Sequence, residues 1–231
     1  MKQKTIYKTK IKKKGEVIVD EKQKSFQRLA LHALEKQLQI MKLKEWLFLI
    51  SFIFGAALLR VPMQAVPSAE PLTFFAILAG WLFGKKKGFL AGISSLYISN
   101  FLVFGGQGIW TFFQALGFGI AGFLGGFLRK NASVFETVLY MAIATLIFEI
   151  IVNIGSLFMF PFSIFTLFLT ALPFTLIHLV SNSIFALFLP ITKKVVYEKG
   201  RFNEKELCIN LINRYSSKFK FSGIKGKEST A

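Results

Sequence analysis

The stretch from Trp46 to Pro190 is apolar, carries only scattered charges, and is bounded on both sides by lysine-rich segments. That arrangement constrains the fold more than any other feature. Of the 231 residues, 53% are hydrophobic and 28 are phenylalanine, far more than one soluble core can enclose, so the block belongs in a membrane. A helix needs about 20 apolar residues to cross the roughly 30 Å hydrocarbon layer, and shorter segments are tolerated inside a bundle. Six segments meet this description: Glu45–Pro62, Pro71–Phe83, Gly88–Phe104, Ile109–Leu128, Ser133–Phe160 and Ser163–Pro190. The expectation is an all-α membrane protein, a six-transmembrane-helix bundle in the cell membrane. Residues 1–44 form a basic arm before the bundle and 191–231 a basic tail after it.

Lysine and arginine set the orientation, because positively charged loops stay in the cytoplasm during insertion. With six spans, 28 of the 29 basic residues fall on one side: the two arms, Lys85–Lys87, and Arg129 with Lys130. The remaining one, Arg60, ends the first span on the far side. Both termini are therefore expected inside, and a five- or seven-span arrangement would put a basic terminus outside. The net charge of +17 could also serve nucleic acid, but the cations flank membrane spans without aromatic interleaving, so no nucleic-acid partner is expected. Membrane lipid is.

Within the N-terminal arm, Phe26, Leu29, Ala33, Leu34, Leu38 and Met41 recur near helical spacing among lysines and glutamines, predicting an amphipathic helix over Ser25–Leu43 on the cytoplasmic membrane surface. Asn203–Ser216 repeats the pattern more weakly. Met1–Lys24 and Ser222–Ala231 have the composition of unstructured ends, and Met1–Gly15 lacks the apolar core of a cleaved signal. The single cysteine, Cys208, excludes an internal disulfide and a multi-cysteine metal site; no cofactor or metal is expected.

Lipid gives helices no hydrophobic reason to associate, so close contact depends on small residues. The fourth span supplies Ala115, Gly117, Gly119, Ala121, Gly122, Gly125 and Gly126, and Gly80/Gly84 and Gly88/Gly92 add two more pairs. They read either as plain tight packing or as a sliding face. Intramembrane polar groups mark cavities, pathways or paired contacts. At about 1.5 Å per residue, Glu149 and Asn153 fall in the outer half of the fifth span. Trp110 and Gln114 lie in the first outer turns of the fourth, Arg60 and Asn100 near the outer ends of the first and third, and Glu70 and Gln107 in outer loops. Together they predict one outward-facing polar pocket with an aromatic wall. Alternative roles stay open: Trp110 as an interfacial anchor, Asn100 and Gln107 as helix caps, and Glu149 as a neutral buried acid or the partner of Arg60. His178 and Asn182, one turn apart, read as a structural hydrogen-bonding pair or a site.

Four pieces of Arg60–Leu128 point to a family. They are Arg60-Val-Pro-Met-Gln-Ala-Val-Pro-Ser-Ala-Glu-Pro71, the run AILAGWLFG at Ala76–Gly84, Ser99-Asn100-Phe101, and Gly105-Gly-Gln-Gly-Ile-Trp-Thr-Phe-Phe-Gln114. The last is similar to Gly-x-Gly-Pro-Trp-Thr-x-x-Gln, with Ile109 at the proline position. In these pieces the chain resembles the substrate-binding S components of energy-coupling factor vitamin transporters. The resemblance implies a subunit that captures a vitamin-like molecule outside. Within the family, the Trp-Thr signature is most similar to members associated with cobalamin or related corrinoids.

No Gly-x-x-x-x-Gly-Lys-Ser/Thr occurs in the chain, so energy would come from two partner ATPase subunits through a transmembrane coupling subunit. The resemblance also implies toppling within the bilayer, with Val61–Pro71 as gate, stiffened by Pro62, Pro67 and Pro71. The family's usual Ala-x-x-x-Ala docking face in the first span is replaced here by Ser51-x-x-x-Gly55. Two other function classes compete with transport. One is an intramembrane enzyme using Glu149 and His178, whose helix depths are expected to differ; the other is a membrane scaffold.

Overall fold

A computed structural model describes the backbone of residues 2–66, 68–161 and 163–225. Pro67 of the expected gate and Phe162 between the fifth and sixth apolar segments lie outside the described residues, as does 226–231 of the tail. Among the described residues there are seven helices and no strand: α1 (Lys2–Met63), α2 (Leu72–Phe83), α3 (Lys85–Ser99), α4 (Trp110–Gly125), α5 (Val134–Met159), α6 (Ile164–Lys199) and α7 (Phe202–Lys225). Three stretches are long and apolar enough to cross a membrane: Ser25–Met63, Val134–Met159 and Ile164–Lys199. Leu72–Phe83 and Trp110–Gly125 are shorter apolar helices. The chain is an all-helical membrane protein.

All six apolar segments are helical, with three boundary differences. Helix α3 stops at Ser99 rather than Phe104, and turns fill the chain to Ile109. Helix α6 runs through Pro190 to Lys199. A proline removes one hydrogen bond and crowds the preceding turn, yet Leu189 beside it is fully buried, and that packing holds the helix together. Helix α1 begins at Lys2, where unstructured chain is expected. Lysine and glutamine are good helix formers, and Gly15 is the one glycine or proline before Gly55.

The chain divides into two compact units, Met1–Leu43 with Arg201–Ala231, and Lys44–Gly200. The first contains α7, longer than the amphipathic segment expected at Asn203–Ser216. The second holds the apolar block. At its centre is α2, buried from Leu72 to Phe74 and from Ala76 to Gly80, and packed on α3, α4, α5 and α6. Twelve residues span about 18 Å, so α2 relies on these neighbours for its surroundings. A Cβ at Gly80, Gly88, Gly92, Gly122 or Gly125 would come under 3.0 Å from backbone atoms of a neighbouring helix. The glycines therefore let α2, α3 and α4 approach backbone to backbone, the packing alternative.

Local sequence sets the helix starts. Ser133 and Glu136 form a reciprocal capping box at α5, with Glu136 N–H donating to Ser133 Oγ at 3.2 Å and Ser133 N–H to Glu136 Oε2 at 2.9 Å. Ser163 caps α6 in the same way, accepting from Thr166 N–H at 3.1 Å. Gly84, at φ +92°, ends α2 and begins α3 in one residue. Helices α2 and α6 run parallel. Ser68 meets Ser181, Phe74 meets Phe185, and Trp81 meets Lys193, three rungs nearly constant in sequence offset.

Candidate functional site

The last turn of α1 carries Arg60 into a polar cluster. Its guanidinium donates from Nη1 to Ser99 Oγ at 2.9 Å and Asn100 Oδ1 at 2.7 Å, and from Nη2 to Glu70 Oε1 at 2.9 Å. The ion pair is largely enclosed, with side-chain exposures of 12% for Arg60 and 20% for Glu70. Asn100 follows α3 and passes the network on, donating to Thr111 Oγ1 at 3.3 Å and Gln107 Oε1 at 3.5 Å. Gln107 donates in turn to the Tyr97 carbonyl at 2.7 Å. Gly108 N–H donates to Thr111 Oγ1 at 3.0 Å, so a threonine hydroxyl secures the turn that leads into α4.

Arg60, Gln64, Ser68 and Glu70 line a hollow of about 210 Å³ together with Met63, Val66, Ala69, Val103 and Phe104. Three polar ties hold the segment that forms its wall: the Arg60–Glu70 pair, Phe104 N–H on Gln64 Oε1 at 2.9 Å, and Ser181 Oγ on the Ser68 carbonyl at 3.4 Å.

A second cluster joins α5 and α6. Glu149 Oε1 and His178 Nδ1 are 2.6 Å apart, and Thr175 Oγ1 donates to Glu149 Oε2 at 3.2 Å. The His178 ring stands edge-on to Phe148 at 5.3 Å between centroids. This contact corrects the expectation that the two groups lie at different depths. Helices α5 and α6 are consecutive and joined by a short turn. From that turn, Glu149 is about 15 Å along α5 and His178 about 21 Å along α6. Helical side chains lean toward their own N-terminus, so in this antiparallel pair the two lean toward each other and close the gap.

The expected single pocket is thus two clusters. The structure brings Arg60, Glu70, Asn100 and Gln107 together. It separates Glu149, which pairs with His178 rather than with Arg60. Trp110, 42% exposed, covers Gly108, and half-buried Gln114 lies outside the hollow's lining. Asn153 is buried in α5, also away from that lining. His178 and Asn182 are not bonded to each other: Asn182 Nδ2 donates to Thr145 Oγ1 at 2.8 Å. Of the expected docking pair, Ser51 is exposed and donates to the Leu47 carbonyl at 2.9 Å, while Gly55 is partly covered by Phe75. The cluster also uses Gln64, Ser68, Ser99 and Thr111, all inside the quoted motifs. Thr175 and Ser181 stand three residues either side of His178, a helical spacing that marks one face.

Among the described residues, four buried side-chain atoms have no hydrogen-bond partner: Glu70 Oε2, Thr73 Oγ1, His178 Nε2 and Asn182 Oδ1. In the α2–α6 register Glu70, His178 and Asn182 fall near the Ser68–Ser181 rung and Thr73 beside the Phe74–Phe185 rung. A buried acceptor left unmatched costs about 1–3 kcal/mol, more when charged. In the tautomer that donates Nδ1–H to Glu149, His178 Nε2 offers a lone pair. Glu70 Oε2 and Asn182 Oδ1 are acceptors, whereas the Thr73 hydroxyl can donate or accept.

A family model, Family of unknown function (DUF6580), matches residues 41–201, nearly the same span as the compact apolar unit. No curated protein and no solved structure matches the chain.

Proposed function

We propose that this chain, which belongs to the DUF6580 family, is the membrane-embedded capture subunit of an energy-coupled importer for a vitamin-like molecule. The observation that carries the reading is Glu70. Glu70 lines the hollow; one of its oxygens is held by Arg60, while the other is buried without a partner. A ligand N–H or O–H, or a protonated amine, satisfies that oxygen at the point where leaving it bare is most unfavourable. The motif resemblance to vitamin-transporter S components points to the same class. It supplies the rest of the assembly: a transmembrane coupling subunit, engaged through the Ser51–Gly55 face, and two ATPase subunits. About 210 Å³ is below the roughly 300–1,000 Å³ of a drug-sized site. A compact polar ligand is therefore favoured, and a corrinoid requires the 61–71 segment to swing aside.

Purification in mild detergent followed by native mass spectrometry tests the reading. The expected result is a co-purifying small molecule, with Glu70→Gln lowering its retention by about tenfold or more, the worth of one charge-assisted hydrogen bond. An empty protein that binds nothing from a vitamin panel overturns it. The Glu149–His178 contact favours a second reading, acid/base catalysis within the membrane. That reading prevails if Glu149→Gln leaves binding intact and abolishes conversion of the bound molecule.

The arrangement we infer in the cell membrane is six spans with both termini inside, since it collects 28 of 29 basic residues on one side. In a Cys208→Ser background, Phe104→Cys is expected to react with an impermeant maleimide from outside intact cells and Lys130→Cys only after permeabilisation. The same sidedness at both positions rules the six-span topology out.

A further inference from the structure

The opposite end of the second unit carries a seat made of cations and aromatic rings. Trp81, near the end of α2, donates its indole N–H to the Arg129 carbonyl at 2.8 Å. The Lys193 ammonium stands 4.2 Å over the same ring and donates to the Lys130 carbonyl. Three connections fix these cations side by side: the indole bond, the ring stacking and the carbonyl bond. Arg129 is itself paired, with Glu136 at 2.6 Å, and Glu136 also serves the α5 cap. Lys194 adds a further exposed cation. An ammonium has three donors, and Lys193 places one on the Lys130 carbonyl, so donors remain for an anion.

Earlier on α6, an open apolar groove of about 380 Å³ lies against α5, lined by Val138, Leu179, Val180, Ser183, Ile184 and Leu187. On α6, Val180, Ile184, Leu187 and Ile191 recur at alternating spacings of four and three, all exposed, and the next step along that face is Lys194. From Lys194 the stripe descends about 21 Å to Val180, somewhat more than the roughly 15 Å of one hydrocarbon leaflet. Cations at one end and an apolar channel of leaflet depth below them match one amphiphile. A soluble phosphate has no use for the channel, and a neutral lipid has none for the cations.

We propose that the α5–α6 groove and the Lys193–Lys194 pair at the end of α6 bind one acidic phospholipid, its phosphate on the lysines and an acyl chain along Ile184 and Val180. Basic recesses between membrane helices recognise such headgroups, each lysine near the surface adding about fivefold in affinity. The site stands apart from the hollow beside Arg60 and does not depend on the import reading.

Native mass spectrometry of the delipidated full chain, offered equal phosphatidylglycerol and phosphatidylcholine, tests it. Preferential retention of one phosphatidylglycerol is expected. Lys193→Gln with Lys194→Gln should reduce that retention about thirtyfold, and Lys194→Gln alone about fivefold, which keeps the test available if the double variant misfolds. Ile184→Trp, which fills the groove, should also lower it while leaving the lysines in place. Equal retention of the two lipids overturns the proposal, as does insensitivity to Lys194→Gln. Displacement of the lipid by millimolar inorganic phosphate would mean a headgroup-only anion site and overturns it equally.

Discussion

Gly122→Leu is expected to abolish recovery of folded, monodisperse protein. A Cβ at position 122 already falls under 3.0 Å from the backbone of Gly88, and one at Gly88 would meet the backbone of Gly122 and Gly80. Neither neighbour has a side chain that could rotate away, so a larger residue must push α3 from α4. Inserting extra atoms into a well-packed core costs about 1–3 kcal/mol when side chains can adjust. Here the backbone itself must move, and total stabilities of about 5–15 kcal/mol leave little margin. Gly55→Ala is the contrasting case. Its Cβ would sit 3.8 Å from the Phe75 ring, an ordinary contact, and the variant should behave as wild type. Size-exclusion profiles and thermal unfolding in detergent distinguish the two; a monodisperse Gly122→Leu with unchanged melting would refute the backbone-contact account.

Arg60→Ala is the second large effect, expected to destabilise the protein and to empty the hollow. Removal of the guanidinium takes three donors at once from Ser99, Asn100 and Glu70, and leaves Glu70 with neither oxygen paired by protein. Breaking a buried pair by deleting one member costs about 3–5 kcal/mol. The low end applies here because the Glu70 side chain keeps 20% exposure. Structural and binding roles separate in Arg60→Met with Glu70→Gln. With no charge left unmatched, much of the stability should return, because an apolar replacement of an ion pair is often neutral, but ligand retention should not. Recovery of both would make the pair purely structural; loss of neither in Arg60→Ala would remove it from the site altogether.

What could be read in advance follows from how each signal arises. Helices α2 and α5 were legible because their apolar runs are bounded by Gly84 at the end of one and Ser133 at the start of the other, residues with defined cap chemistry. Pro190 misled because its local penalty is outweighed by burial of Leu189, a tertiary fact. Arg60, Glu70, Asn100 and Gln107 stood out because such residues are rare in apolar sequence, and they do share one network. Ser99 and Thr111 belong to the same network yet carry little signal of their own, since small hydroxyl residues are ordinary in membrane helices. The Glu149–His178 contact was hidden by counting rise alone, which ignores the opposed lean of side chains in an antiparallel pair.

The segment between α1 and α2 is held by the three polar ties described above, while Gln64, Ala65 and Val66 remain exposed. Each of those ties can be exchanged for water, so detaching the segment uncovers little oil-like surface. Were the segment to open, as the import reading proposed above requires, the Arg60–Glu70 pair would be the charged tie to part. On that reading, a guest that drew Glu70 away from Arg60 would loosen the segment as it settled in. Arrival of cargo and readiness to let it go would then be governed by one and the same bond.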